Sequence, residues 1–313
     1  MKIGYPVLRV KNIDRVLAFY EKGLGLQVNK RYHQDVHHGN LVVCELGFKH
    51  KRLSSDKLPS SSPLLILRHD PNAKNPSAHS AGLYHFAILV PDRKSLASTY
   101  LAVRNSGVHY DGFADHLVSE SLYLRDPENN GIEIYHDRPA NQWPRDTQGH
   151  IMMDTLPLDL DSLSAEMEDN NNNKEQRNHA KAFPTGARIG HMHLRVTNLE
   201  RSIKFYHEKL GLDITVDWSS TGAAFLSAGE YHHHIGMNTW HSLNGDAHTH
   251  GNEAGLEYFT ITIPDRSYVN TIKKSIIGDS ITSEQQQKEQ QNVDKNQFLV
   301  FDPDGIQIVI ESE

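Results

Sequence analysis

An internal repeat constrains the fold of this chain more than any other feature of its sequence. The segment from Ile3, IGYPVLRVKNIDRVLAFYEKGLGLQV, aligns without a gap with the segment from Ile189, IGHMHLRVTNLERSIKFYHEKLGLDI, at an offset of 186 residues. Each segment has alternating apolar residues typical of a strand, an Asn helix start, a helix carrying Phe-Tyr, and a Leu-Gly-Leu helix end. The repeat predicts a chain built from duplicated strand–helix units.

A second pair of related segments lies between and after the first. GLYHFAILVPDR from Gly82 resembles GLEYFTITIPDR from Gly255, and both pieces end alike, with YLRDPENNGIEIY around Asp126 and LVFDPDGIQIV around Asp302. The Asp-Pro and Asn-Gly or Asp-Gly turns predict hairpins before a last strand. The pieces that begin at Ile3, Gly82, Ile189 and Gly255 are named units A, B, C and D, and each is predicted as βαβββ.

The polar stretches of the sequence predict the domain organisation. With 313 residues the chain is long enough for two domains. We predict a first module at residues 1–160 (units A and B), a polar linker at 161–186, and a second module at 187–313 (units C and D). The linker contains EDNNNNKEQRNH, which has too few apolar residues to pack. A second polar stretch, SEQQQKEQQNVDKNQ, is predicted to be a loop extension within unit D.

Composition excludes several classes of function. The net charge is -7 and Lys and Arg are scattered, so a nucleic-acid partner is not expected. No run approaches 18 apolar residues and the chain starts directly with a strand pattern, which predicts a cytoplasmic protein without a membrane partner. Because Cys44 is the one cysteine, any metal must be held by nitrogen and oxygen ligands, and the 21 histidines supply many candidates. The sequence leaves a homo-oligomer open.

The paired βαβββ units resemble the vicinal oxygen chelate superfamily, which includes glyoxalases, antibiotic-resistance binding proteins and type I extradiol dioxygenases. The resemblance covers the chain apart from the linker and the glutamine-rich stretch. It implies an α+β fold in which four βαβββ units pair into two open barrel-like sheets. It also implies that metal ligands come from the first strand of two units and from a last strand.

Residues of the ligand type fall at these positions in units B and C. The first-strand positions carry His85 in B and His191 in C, but Tyr5 in A and Tyr258 in D; the last-strand positions carry Glu133 in B and Gln307 in D. Pairing of A with B would split the ligands between two sheets. We therefore predict that B pairs with C and that A pairs with D.

This pairing assembles one metal site. Two imidazoles and one carboxylate form the arrangement used by non-haem Fe(II) oxygenases, which leaves coordination positions open for substrate and O2. We predict Fe(II) bound by His85, Glu133 and His191, with Mn(II) as the alternative ion. The other interpretation, two structural histidines on buried strands, is less favoured because a matching carboxylate accompanies them.

Two further motifs point to catalytic residues. In unit B, His116, Tyr123 and Asp126-Pro127 precede Glu133 in a pattern that closely resembles the extradiol dioxygenase signature, which implies catalytic roles for His116 and Tyr123. In unit C, HHH at 232–234 is predicted to lie on a strand, so that His232 and His234 share one face. The resemblance favours His234 beside the metal, with His232 as the alternative. A surface histidine tract is the remaining interpretation.

The resemblance is strongest to two-domain catechol 2,3-dioxygenases. It implies cleavage of a small aromatic diol with O2 to a hydroxymuconic semialdehyde, with His234 or His116 as base, and Tyr123 and His116 as hydrogen-bonding proton donors. Two alternatives remain: a glyoxalase-like metal-dependent isomerase or lyase, and a small-molecule binding protein on the same fold. A fourth protein ligand would favour the glyoxalase-like enzyme, and absence of the metal triad would favour the binding protein.

Overall fold

The computed structural model describes residues 1–36, 39–48, 63–167, 182–248, 252–277 and 297–312. The strands are β1 (Lys2–Val10), β2 (Gln27–Val36), β3 (Gly39–Gly47), β4 (Leu65–His69), β5 (Gly82–Leu89), β6 (Tyr110–Asp115), β7 (Ser119–Arg125), β8 (Gly131–Asp137), β9 (Arg188–Arg195), β10 (Asp213–Trp218), β11 (Ala223–Ser227), β12 (Ile235–Asn238), β13 (Gly255–Ile263), β14 (Gln297–Phe301) and β15 (Gln307–Ser312). The α-helices are α1 (Ile13–Ala18), α2 (Arg93–Ser106), α3 (Leu160–Ala165), α4 (Leu199–Lys204) and α5 (Arg266–Ile277), and π-helical turns extend α1 over Phe19–Gly23 and α4 over Phe205–Lys209.

The element order follows the predicted repeat. Units A, B and C each contain a strand, a helix and three strands, whereas the described part of D has two strands after its helix. The central part of the predicted linker and most of the glutamine-rich stretch lie outside the described residues. Helix α3 extends into the predicted linker, and its Leu163 is buried.

The strands form two sheets whose composition confirms the predicted α+β class and unit pairing. One sheet has the order β10-β11-β12-β9-β5-β8-β7-β6 and contains the strands of units B and C. The other has the order β14-β15-β13-β1-β4-β3-β2 and contains those of units A and D. We refer to them as the BC sheet and the AD sheet.

Backbone proximity divides the described chain into two compact parts. The first comprises residues 8–73 and 85–189. Within it, the hydroxyl of Tyr20, from the Phe-Tyr motif of unit A, donates to the buried carboxylate of Asp126 at 3.4 Å. The carboxylate of Glu128 accepts from the backbone N–H groups of Lys11 and Asn12, just before α1. The Asp-Pro turn of unit B therefore stabilises the start and the end of the helix of unit A.

The second part comprises residues 1–7, 74–84 and 190–313, and it repeats these contacts. Tyr206 donates to the buried carboxylate of Asp302 at 3.1 Å. Asp304 accepts from the backbone and hydroxyl of Thr197 and from the hydroxyl of Ser202 near the start of α4. Burial raises the pKa of Asp302 to about 7. The same turn chemistry thus supports a helix in both parts.

The hairpins before the last strands of B and D correspond residue for residue from their Asp-Pro turns. Asn129 and Gly305 both have positive φ, 71° and 83°, because each occupies the left-handed position of the turn. Glu133 is the register partner of Tyr123, and Val309 is the partner of Leu299. The prediction that Gln307 is the counterpart of Glu133 is therefore wrong, since matching the two GI-x-I patterns shifts the alignment by two residues.

Helices in the described part of the chain are all too short or too polar to cross a membrane.

Candidate active site

Glu133 lies on β8 within the BC sheet and its side chain is buried. The hydroxyl of Ser121 on the neighbouring strand β7 donates to Glu133 Oε1 at 2.7 Å. Glu133 Oε2 lies 2.9 Å from His85 Nε2. Ser121 thus occupies one carboxylate oxygen and orients the other toward the imidazole of His85.

The three predicted ligands converge. One ligand atom from each of His85, Glu133 and His191 lies within 4.8 Å of the other two, and the residues are only 6%, 3% and 2% exposed. A buried carboxylate requires strong polar partners, because burial removes its hydration. Among the described residues, this is the one cluster of three or more potential metal ligands.

The spacing of the His85 and Glu133 ligand atoms fits a metal ion. Two ligand atoms that each lie about 2.1 Å from one ion, at a right angle, are roughly 3.0 Å apart. The 2.9 Å between His85 Nε2 and Glu133 Oε2 matches this spacing. Two imidazoles and a carboxylate are the donor set of non-haem Fe(II) oxygenases, and they lack the thiolates that softer ions prefer.

His116 and Tyr123 are joined by a hydrogen bond. His116 lies in the tight turn between β6 and β7, followed by Leu117 with φ of 69°. Its Nε2 lies 2.7 Å from the hydroxyl of Tyr123, and its Nδ1 lies 2.7 Å from the carbonyl oxygen of Asp154. The Tyr123 ring contacts the His85 ring, with centroids 5.6 Å apart. This pair places two proton-transferring groups next to a potential metal ligand.

The histidine tract at 232–234 is buried, but it does not lie on a strand. Strand β12 begins at Ile235, and the tract forms bends ahead of it. The predicted strand through the tract is therefore wrong, and so is the surface interpretation, because the three residues are at most 7% exposed. Strand alternation consequently does not decide which of these side chains faces His191.

Within the tract, the ring of His233 lies closer to that of His191 than the ring of His232 does. Their ring centroids are 4.1 Å apart, against 6.4 Å for His232 and His191. His234 Nδ1 accepts from the backbone N–H of Ala228 at 3.3 Å and lies 2.9 Å from the hydroxyl of Ser227. The predicted strand placed His233 on the face opposite to His232 and His234, and that strand does not form.

An aromatic wall continues from His191 along β9. The ring of His193 contacts those of Tyr84 and Trp240, at centroid distances of 4.9 and 6.0 Å. A Cβ at Gly236 would come within 3.1 Å of the His193 ring, so glycine there lets the ring lie close to β12. The side-chain amide of Asn238 lies 2.9 Å from His193 Nε2. This wall offers aromatic surface and polar atoms beside a predicted ligand.

Comparison with known proteins gives related sequences and folds. The model of the glyoxalase/bleomycin resistance protein/dioxygenase superfamily matches residues 2–134 and 188–310. A Bacillus subtilis (strain 168) protein named catechol-2,3-dioxygenase is 37% identical over 275 residues, which are 88% of this chain and 87% of that protein.

Two solved structures resemble the chain over nearly its full length. Glyoxalase I from Zea mays has a TM-score of 0.53 at 16% identity and covers 99% of this chain and 92% of its own. The cppA protein from Streptococcus pneumoniae TIGR4 has a TM-score of 0.53 at 11% identity and covers 100% of this chain and 99% of its own. At these identities the likeness concerns the fold alone, and the site must decide the chemistry.

Proposed function

Because the chain belongs to the glyoxalase/bleomycin resistance protein/dioxygenase superfamily, we propose that it is an extradiol ring-cleaving dioxygenase. Its substrates are a catechol-type aromatic diol and O2, and its product is a hydroxymuconic semialdehyde. The convergence of His85, Glu133 and His191 carries the proposal, because three ligands of this kind leave room for a bidentate diol and O2. The relative named catechol-2,3-dioxygenase supports the same reaction class.

Fe(II) is the proposed ion, held by His85, Glu133 and His191, with Mn(II) as the alternative. When bound, such an ion supplies coordination positions for diol and O2 and a path for electrons from one to the other. Ser121 keeps the Glu133 carboxylate oriented, since it binds Oε1 and leaves Oε2 beside His85. Loss of such a supporting hydrogen bond typically weakens metal binding by about 10- to 100-fold.

His116 and Tyr123 are the proposed catalytic pair for proton movement near the diol. The 2.7 Å hydrogen bond between His116 Nε2 and the Tyr123 hydroxyl lets a proton pass from one group to the other. The ring of Tyr123 lies against that of His85, so this pair acts close to the proposed metal position. We propose that these two groups hydrogen-bond the substrate oxygen and exchange its proton.

The histidine tract supplies the remaining base. The sequence favours His234, whereas the ring contact with His191 favours His233. Both are buried, and each is tested separately as His233→Ala and His234→Ala. Whichever variant removes the catalytic base should turn over about 100-fold or more slowly while it retains iron. A parental rate in both variants would remove the tract from the mechanism.

Activity assays distinguish this function from its alternatives. The protein is loaded with Fe(II) under anaerobic conditions, catechol is added, and oxygen uptake is followed together with the absorbance of the ring-cleaved product. We expect one O2 consumed for each diol cleaved. Turnover of a glutathione hemithioacetal with Ni(II) or Zn(II), without oxygen uptake, would favour the glyoxalase-like enzyme. Diol binding without turnover of either substrate would favour a binding protein.

A further inference from the structure

A segment that follows β8 returns to the BC sheet and pairs with the end of β6. The backbone N–H of Leu156 donates to the carbonyl of Asp115 at 2.9 Å, and the N–H of Asp115 donates to the carbonyl of Leu156 at 2.8 Å. This two-bond pairing lies one residue before His116. Residues 152–157 are named the strap.

The strap determines which nitrogen of His116 carries the proton. His116 Nδ1 lies 2.7 Å from the backbone carbonyl oxygen of Asp154. A carbonyl oxygen can only accept, so Nδ1 must donate. In the neutral ring Nε2 is then the acceptor, and the Tyr123 hydroxyl donates to it across 2.7 Å. The hydrogen bonds therefore run in one direction, from Tyr123 through His116 to Asp154.

Polar contacts hold the sheet edge to which the strap is attached. Arg138 donates to both carboxylate oxygens of Asp115, at 2.5 and 2.9 Å, and lowers the pKa of that carboxyl. Arg138 and Arg93 both bind the buried Glu120. By contrast, the side chain of Leu156 is 41% exposed. The strap is thus joined to Asp115 by backbone hydrogen bonds more than by burial of Leu156, while Arg138 fixes the side chain of Asp115.

We propose that the strap is a positioning element of the reaction, in which the Asp154 carbonyl holds His116 as its Nδ1–H tautomer. His116 then presents an unprotonated Nε2 to Tyr123 and can take up a proton there. With the opposite tautomer, Nε2 would carry hydrogen and could not accept. The catalytic meaning of this arrangement rests on the proposed dioxygenase function, whereas the tautomer is a property of the protein without metal or substrate.

Nitrogen NMR of the metal-free parent protein tests the tautomer directly. Histidine is labelled with ¹⁵N in both ring positions, and the His116 signals are assigned by their loss in His116→Gln. Above neutral pH we expect a protonated Nδ1 and an unprotonated Nε2. A ring with hydrogen on Nε2 alone, or a cationic ring, would overturn the proposal. Since no diol or iron is present, this result is independent of the proposed function.

A matched pair of variants tests the strap. Leu156→Pro removes the N–H that donates to Asp115, whereas Leu156→Ala keeps it and removes most of the side chain. We expect Leu156→Pro to give a mixture of His116 tautomers and up to about 100-fold lower turnover, with iron content and the diol KM near parental values. Leu156→Ala should match the parent.

Each further outcome decides the proposal. A folded Leu156→Pro with parental His116 signals would overturn it, whatever the turnover. If Leu156→Pro does not fold, the nitrogen NMR of the parent decides the proposal: hydrogen on Nδ1 supports it, and hydrogen on Nε2 alone overturns it. A parent with the expected tautomer but no oxygen uptake with catechol would refute the dioxygenase function and leave the positioning of His116 by the strap standing.

Discussion

The BC and AD sheets are built from the same repeated unit but differ where chemistry is expected. On their first strands, the BC sheet carries His85 and His191, and the AD sheet carries Tyr258 and Tyr5 at the corresponding positions. Each pair lies on strands from two different units. A duplicated scaffold has therefore placed imidazoles at one pair of equivalent positions and phenols at the other.

The hairpins that end in the last strands show a second difference between the two sheets. Tyr123 and Glu133 are register partners in the BC sheet, and their counterparts in the AD sheet are Leu299 and Val309, which are also register partners. A polar pair in one hairpin is thus replaced by an apolar pair in the other. The AD sheet keeps the fold and lacks the carboxylate, which indicates that the ligand set is not needed to form the sheet.

The buried tyrosine–aspartate contacts, by contrast, are the same in both halves of the repeat. Tyr20 with Asp126 and Tyr206 with Asp302 are present in both parts of the chain, and each joins an Asp-Pro turn to a helix. Residues that support the scaffold therefore recur, whereas residues of the proposed chemistry occur once. Substitutions at matched positions in the two sheets can separate these two roles.

The largest effect is expected for the ligands. His85→Ala, His191→Ala and Glu133→Gln should each weaken Fe(II) binding by more than about 100-fold, beyond the usual effect of residues that merely support a ligand. Tyr5→Phe, Tyr258→Phe and Val309→Ala are the matched controls and should bind iron like the parent. Equilibrium dialysis under anaerobic conditions measures both sets, and full iron occupancy in Glu133→Gln would refute the site.

Substitution of the proposed catalytic pair should affect turnover alone and leave the metal in place. Tyr123→Phe and His116→Ala should lower turnover by about 100- to 10,000-fold because they remove a proton-transferring group. Both variants should retain iron and bind catechol. Leu299→Ala, at the counterpart of Tyr123, should leave turnover unchanged apart from any loss of folded protein. Oxygen uptake per bound iron is the measurement, and parental turnover in both variants would leave His116 and Tyr123 without a catalytic role.

The two buried aspartates should differ in the pH dependence of stability. Burial raises the pKa of Asp302 to about 7, so the folded protein keeps a proton that the unfolded chain releases near pH 4. Stability should therefore fall as pH rises between these values, by up to about 1.4 kcal/mol per unit. Asp126 has its pKa raised by burial as well, but the Asn130 amide donates to it at 2.8 Å and opposes the shift. At the position of Asn130, unit D has Ile306.

Urea unfolding at pH 5 and pH 7 measures this difference. Between pH 5 and pH 7, the free energy of unfolding should fall less in Asp302→Asn than in the parent. The corresponding difference should be smaller for Asp126→Asn. The expected change is a gain in stability relative to the parent at both pH values, with the gain at pH 7 clearly larger than the gain at pH 5. An unchanged slope in Asp302→Asn would show that Asp302 titrates near its ordinary pKa.

Much of the fold, and the convergence of the three residues of the candidate metal site, followed from the sequence because the repeat relates distant positions. The alignment of Ile3 with Ile189 predicted the unit order, and the distribution of His85, His191 and Glu133 predicted which units share a sheet. Periodicity carries this information, since residue types recur at equivalent places along each strand. The division into modules at residues 1–160 and 187–313 stays a prediction.

Three features of the structure were not predicted from the sequence, because they depend on backbone geometry that residue types do not specify. The counterpart of Glu133 was misplaced at Gln307 because either Asn or Gly can occupy the left-handed position of the turn. The ring contact of His233 with His191 was not predicted, because the bends before Ile235 break the strand alternation. The acceptor for His116 is the backbone carbonyl of Asp154, which any residue there would supply.

The proposed metal site lies in the BC sheet, and the AD sheet is expected to bind no ion at the corresponding place. Anomalous scattering from crystals grown anaerobically with Fe(II) tests it most directly. We expect one strong peak coordinated by His85, Glu133 and His191, and no peak near Tyr5 and Tyr258. A peak at the tyrosines, or iron bound without Glu133, would contradict it.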